Sequence, residues 1–453
     1  MRKPFLFAAV VAAVIISGSL TPLHARQAHA ALRIRHVVVL FLENHSFDNV
    51  LGLLCLRYHR CNGVSTGRLA NGRRIKLMPA SDVVPVVAHK PIPQRTAIAH
   101  GRMNGFSKIS GCTANTSPAF RCYSQFHRGQ IPNLWRLART FTISDATFSD
   151  GPVPSFGSHL DLVAQRLDGF TGARPLDRVG SGPGWGCNSR KDTPWRAAPG
   201  RPIRLEPSCV PWYGLDRRRH PFGGAYRATP VKHVPTLMDR MSHANIRWKI
   251  YAATRSQAAV GGYGWAICPT FADCYYTAQR SHMAPSNRVI SGAKRGTLPA
   301  VSLVMPQARD SQHNSWSMAR GDAWLGRVVS AIEHGPDWPR TTIFITYDDC
   351  GCFYDHVRPP RGLGIRVPMV LVGPYVRRHY TDHTTASYSS IDRYIEHTFG
   401  LRPLTSADAN AYGYRSSFKY ARIPNPPIRM VRTRVPPASI KQIAAHPPKP
   451  DST

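Results

Sequence analysis

Asp348 and Asp349 stand side by side at the end of an apolar run, residues 342 to 347, and Asp355 and His356 follow within a few positions. Two adjacent carboxylates repel one another unless something positive lies between or beside them. A divalent cation is the natural partner, because hard ions prefer oxygen ligands. The plainer alternative is a turn with solvated acids. Against that stands the rarity of acid: the chain has 25 Asp plus Glu against 59 Lys plus Arg, so a compact group of Asp348, Asp349 and Asp355 is out of proportion. Glu43 and Asn44 end another apolar run, residues 36 to 42, and offer further oxygen ligands.

A third cluster reads Gly151-Pro152-Val153-Pro154-Ser155-Phe156-Gly157-Ser158-His159. The proline before Ser155 fixes the local backbone, and an anion arriving where the turn passes into a helix would meet free amide donors. Ser155 is then either a nucleophile or an ordinary helix N-cap, and the residues alone favour the cap.

Such residues need a frame. Residues 36 to 42 are Val-rich and nearly unbroken in apolar character, the pattern of a strand buried on both faces. Strand-like runs recur at 141–144, 246–251, 300–305, 342–347 and 367–372, with helical patterns at 134–139, 158–166, 236–242, 318–333 and 389–398. Alternation of this kind predicts an α/β fold with a largely parallel central sheet and helices on both faces. Polar clusters directly after buried strands sit where open α/β sheets bind ligands. Residues 170–233, dense in Gly, Pro, Arg and Trp, break the rhythm and read as an irregular insertion, either a cap that shapes the substrate site or passive decoration. The catalytic domain is expected over 31–423, and the Pro-rich, basic tail 424–453 as a loose extension.

Arg2 and Lys3 precede an apolar run from 5 to 16, and Ala28-His29-Ala30 supplies small residues for cleavage, so residues 1–30 read as a secretory signal peptide. The run is shorter than the roughly 20 residues of a spanning helix, which disfavours an uncleaved anchor. A secreted protein, extracellular or periplasmic, is expected. Export turns the ten cysteines into a disulfide framework with sequential pairing as the default: Cys55/Cys61, Cys112/Cys122, Cys187/Cys209 and Cys268/Cys274. Cys350/Cys352 is the least secure pair, because so short a loop strains the bond.

The chain is 453 residues long with 42% hydrophobic residues, which excludes wholesale disorder, and no fibrous or solenoid period is present. The formal net charge of +34 allows attraction to anionic surfaces, phosphorylated substrates or nucleic acid, but charge alone favours the plainer reading of a solvated basic surface.

With these residues in view the chain resembles the bacterial phosphoesterases that include secreted phospholipases C and a group of acid phosphatases, members of the alkaline phosphatase-like superfamily. The resemblance runs in order through HVVVLFLENHSFDNVLG (36–52), GRMNGF (101–106), GPVPSFGSHLDLVA (151–164), TLMDRMSHANIRWKIYA (236–252), LPAVSLVMPQARDSQHNSWS (298–317) and TTIFITYDDCGCFYDHVRPP (341–360). It implies an alkaline phosphatase-like fold and a divalent metal ion held by Glu43, Asn44, Asp348 and Asp349. It also implies Ser155 as nucleophile, with His159, His313 and His356 as catalytic residues beside the site, His313 or His356 protonating the leaving oxygen or holding a non-bridging one. The substrate implied is a phosphate ester, with phospholipid head groups as one class and phosphomonoesters as another. Trp185, Trp195, Trp212 and Tyr213 could give a lipid an apolar approach. No specific nucleic-acid partner is expected; a basic binding protein with a dead site is the alternative. Two departures stand out. Gly157-Ser158 replaces the family's usual Pro-Asn or a similar pair, and Cys352 replaces the second glycine of the usual DDxGGF run.

Overall fold

The computed structural model describes residues 34–177, 182–212 and 227–448. The expected signal peptide, Tyr213 of the insertion and the last five residues of the tail lie outside the described residues.

An eight-stranded sheet forms the centre. Its strands are β1 (His36–Leu42), β2 (Thr142–Ser144), β3 (Trp248–Ala252), β4 (Met283–Pro285), β5 (Val301–Val304), β6 (Thr341–Tyr347), β7 (Met369–Val372) and β8 (Tyr380–Asp382). They lie in the order β4-β3-β5-β1-β6-β7-β2-β8, and only β7 runs against its neighbours. The six expected strands are all present, and two short strands that the sequence pattern did not flag close the edges. Pro285 sits on one of those edges, where a residue without an N–H costs no ladder bond.

β1 lies in the middle because it is apolar on both sides: Val37 to Leu42 are all 0% exposed. Helices cover both faces. α1 (Phe47–Val50) follows β1 directly. α6 (Met318–Glu333) packs against both α2 (Pro132–Thr140) and α5 (Arg288–Lys294), and Asp322 of α6 accepts from the backbone amides of Asn133 and Leu134 at the start of α2, at 3.1 and 2.9 Å. On the other face lie α3 (Ser155–Ala164), α4 (Leu237–His243) and α7 (Tyr388–Phe399). There the Phe41 ring of β1 meets His159 of α3 and Tyr388 of α7 edge-on, with centroids 5.0 and 5.2 Å apart.

The described part of the insertion carries a hairpin, Asp192–Trp195 with Arg204–Pro207, and the Cys187–Cys209 bridge. It lies over the start of α3, where Gly157 N donates to Gly172 O at 3.1 Å and the Phe156 ring meets Phe170 and Trp185. Trp185 is 2% exposed, so it is packing rather than an apolar landing surface. Trp195 donates from Nε1 to Asp168 O at 2.9 Å.

The tail is bound to the body rather than loose. Asn425 donates from its side chain to Gly373 O and Val376 O at 2.9 and 2.7 Å, Val431 N donates to Asn133 Oδ1 at 2.8 Å, and a helix, α8 (Pro437–Ala445), follows. Polar residues between the prolines supply the bonds that composition hid. Four disulfides join the sequential pairs expected. Cys350 and Cys352 are free thiols, both buried.

Candidate active site

Parallel pairing of β1 with β6 brings Leu42 opposite Tyr347, so Glu43-Asn44 and Asp348-Asp349 leave adjacent strand ends together. The junction is fixed by backbone bonds: Asp348 N donates to Leu42 O at 2.9 Å, and Asn44 N donates to Asp348 Oδ1 at 2.8 Å. Asn44 adopts φ 62°, a left-handed conformation that Asn tolerates better than most residues. Gly351, at φ 54°, passes so close that a Cβ there would lie 2.1 Å from Asn44 O, which is why this position of the loop is glycine. Cys352 also has positive φ, 50°, a conformation that the glycine it replaces would adopt without strain.

Ser155 is the first residue of α3. Pro154 is the N-cap, no side chain caps the helix, and the expected cap role for Ser155 falls away. Its hydroxyl instead points at the strand ends, 3.3 Å from Glu43 Oε2 and 3.3 Å from Asn44 Oδ1. One turn on, His159 sets Nδ1 against Ser155 O at 2.8 Å. Nδ1 must carry the proton, which leaves Nε2 a bare acceptor 3.6 Å from Glu43 Oε1. Neither of those two buried atoms has a hydrogen-bond partner.

Asn44 shows the same shortage of positive charge. Its amide oxygen meets Asp348 Oδ1 and Oδ2 at 3.2 and 3.3 Å, acceptor against acceptor; turned over, its nitrogen would donate to both and its oxygen would face His313 Nε2 at 2.9 Å. His313 decides between the two. Its Nδ1 faces Asn314 O at 2.9 Å, and burial, helped by nearby His89, lowers its pKa to about 3. The ring is therefore neutral, Nε2 can only accept, and the Asn44 nitrogen belongs toward it. The Asn44 oxygen then joins Glu43 and Asp348.

Glu43, Asp348 and Asp349 are all 0% exposed, and no Lys or Arg among the described residues pairs with them. Burial and then the Asp348 charge push Glu43 and Asp349 well above the usual carboxylate range. Asp349 Oδ1 accepts from Gly351 N at 2.6 Å, while Oδ2 is buried without a partner. Oxygens of this kind, unpaired and converging, fit a divalent cation. His159 Nε2 lies within reach of the same point as Glu43 and Asp348. As a candidate ligand it is a finding of the structure, although its place four residues after Ser155 on one helix face was a usable signal.

The remaining predicted residues separate. Asp355 does not join Asp348 and Asp349: it pairs with Arg366, fully buried, whose guanidinium also reaches Asp48 Oδ1 at 3.2 Å. His356 belongs to that cluster, with Nδ1 2.5 Å from Asp48 Oδ2 and Nε2 2.9 Å from Asn62 Oδ1. Burial opposes its protonation, but Asp48 and Asp355 outweigh burial and raise its pKa. His45 and His89, which the sequence did not single out, are buried near the strand ends.

Residues 34–402 match the model of the Phosphoesterase family. Among curated proteins the chain is 24% identical to "Non-hemolytic phospholipase C" of Burkholderia pseudomallei, over 82% of this chain and 55% of that protein. It is 23% identical to "Non-specific phospholipase C1" of Arabidopsis thaliana, over 87% of this chain and 72% of that one, and 24% identical to "Phospholipase C A" of Mycobacterium tuberculosis, over 86% and 78%. The chain thus spans about half the length of the Burkholderia relative. Among solved structures, a protein in the alkaline phosphatase superfamily from Vibrio parahaemolyticus is similar at TM-score 0.36 and 9% identity, over 83% of this chain and 69% of that chain.

Proposed function

The chain belongs to the phosphoesterase family, and from that premise we propose that it is a metal-dependent hydrolase of phosphate esters, of phospholipase C type, acting through Ser155. The observation that carries the reading is the Ser155 hydroxyl at the first turn of a helix, 3.3 Å from both Glu43 and Asn44, among buried carboxylates that lack a counter-charge.

Glu43, Asn44, Asp348 and Asp349 would hold a divalent ion, with His159 as a further ligand. When bound, such an ion supplies positive charge that makes a nearby hydroxyl more acidic and offsets charge on phosphoryl oxygens. Ser155 Oγ attacks phosphorus in line, the P–O bond to the alcohol breaks, the serine proton leaves with the alcohol, and water then cleaves the phosphoseryl ester. The start of α3 at Ser155 would offer backbone amides to an anionic phosphoryl group. His313 acts as a positioning residue: its neutral Nε2 takes the Asn44 N–H and turns the Asn44 oxygen toward the ion. His356 holds the loop after Asp355 through Asp48. The leading substrate class is a phospholipid head group, consistent with the names of the relatives. Secretion by way of residues 1–30 would bring the enzyme to such lipids, and no helix among the described residues is long and apolar enough to cross a membrane.

The test is purified protein assayed with p-nitrophenylphosphorylcholine and with p-nitrophenyl phosphate, before and after exhaustive chelation. Turnover of the diester, lost on chelation and restored by a divalent ion, is expected. Preference for the monoester would move the substrate class to phosphatase. Full activity in the stripped protein would overturn the metal assignment.

A further inference from the structure

Away from the active site, one corner of this basic molecule gathers negative charge. Asp150, just ahead of the Ser155 loop, and Asp161, on α3, line a cavity of about 580 Å³ together with Gln165, Ser387, Ser389 and Arg415. Asp161 is only 6% exposed, yet its carboxylate has no hydrogen-bond or ion-pair partner among the described residues. Asp150 Oδ2 is buried and unpartnered, while the rest of its carboxylate draws on Ser387, Ser389 and Gln165, with the Ser389 hydroxyl 3.4 Å from Oδ1 and also donating to Gln165 Oε1. Behind them Gln165 Nε2 donates to Asp392 Oδ2 at 2.8 Å, while Asp392 Oδ1 is left buried without a partner. Arg415 does not neutralise the group: its guanidinium lies over the Tyr412 ring, 5.5 Å from the centroid, and pairs with neither carboxylate.

We propose that this cavity is a second cation site, for a hard divalent ion such as Ca²⁺, held by the Asp150 and Asp161 carboxylates with hydroxyl and amide oxygens from Ser389 and Gln165. Every group offered is an oxygen, which suits Ca²⁺ and disfavours softer ions. Two buried carboxylates without a basic partner call either for such an ion or for a shared proton. Burial raises the pKa of Asp150 to about 6 in spite of the hydrogen bonds from Ser387, Ser389 and Gln165. The cavity is large enough to admit an ion with water still attached, and it opens beside α7 rather than at the strand ends that hold Glu43 and Asp348. The inference stands independently of the proposed activity.

The test counts bound Ca²⁺ by elemental analysis in the full chain after chelation and re-equilibration, using an Asp349→Asn background to weaken the active-site carboxylates. The addition of Asp161→Asn, or of Asp150→Asn, is expected to remove one equivalent of Ca²⁺ per chain. Ca²⁺ should raise the melting temperature of the parent and leave that of the double variant unmoved. In chelator Asp161→Asn should melt no lower than its parent, since a neutral isostere replaces an unpartnered charge. If Asp349→Asn does not fold, the wild-type and Asp161→Asn pair must show the same difference of one equivalent. Equal Ca²⁺ content and equal Ca²⁺ response with and without Asp161 would overturn the proposal. So would a melt that responds to pH and not to Ca²⁺, since the two carboxylates would then be sharing a proton.

Discussion

Ser155 donates no cap bond, so its two readings part cleanly. Removing a capping side chain costs about 0.5–2 kcal/mol and spares turnover. Ser155→Ala should instead lower the rate by several orders of magnitude with little change in melting temperature, and acid-quenched wild-type enzyme should carry phosphate on the peptide containing Ser155. Near-normal turnover of the variant would remove Ser155 from the mechanism. Asp349 gives an opposite pairing of effects. Its carboxylate is fully buried beside Asp348, so Asp349→Asn should abolish activity yet leave the metal-free protein as stable as metal-free wild type, or more so. Thermal melts in chelator check the second half, and marked destabilisation there would mean that Asp349 holds the fold rather than an ion. Residue types and neighbourhood pointed to Glu43, Asn44, Asp348 and Asp349 because a strand end and two adjacent acids are local patterns. The Asp355–Arg366 pair and the use of His313 to orient Asn44 could not be foreseen, because each depends on partners brought together by the fold.

Regular elements were readable where apolar period was strong, as in β1, β6 and α6, and were missed where an element is short and takes its stability from the sheet edge, as in β4 and β8. The start of α3 was expected three residues late because Gly157 lowers helical propensity there, whereas Gly157 N is held by Gly172 of the insertion. One helix end also carries a testable charge. Glu333, the last residue of α6, is 1% exposed, and burial raises its pKa to about 8. A carboxyl whose pKa is raised on folding stabilises fully below its unfolded value, about 4.5, and loses that contribution as pH climbs through its folded value. Glu333→Gln should therefore gain on wild type steadily from about pH 4.5 to about pH 8 and level off beyond. Parallel melting curves across that range would mean that Glu333 is ionised in the folded protein at neutral pH.

Across the molecule, composition suggested a loose tail, but bonds from Asn425, Val431 and Thr433 tie it to the turn after β7, to α2 and to α6. Removal of residues 424–453 would leave Val376 O without a donor, Gly373 O with only the Val376 amide, and Trp338 Nε1 without its acceptor. At about 1 kcal/mol per lost bond the truncated protein should melt several degrees lower, and an unchanged melt would return the tail to the role of a passive extension. The four disulfides close short local loops, with sequence separations of 6, 10, 22 and 6, so none of them staples the sheet. What joins the sheet is pairing between distant segments, and the contact from Asn44 to Asp348 spans 304 positions. A chain made from its N-terminus therefore carries Glu43, Asn44 and Ser155 before Asp348 and Asp349, and the site comes together only when β6 pairs beside β1. Until that strand slots in, a growing chain holds only half of the candidate site, so whatever chemistry the assembled residues support is withheld until β6 is in place.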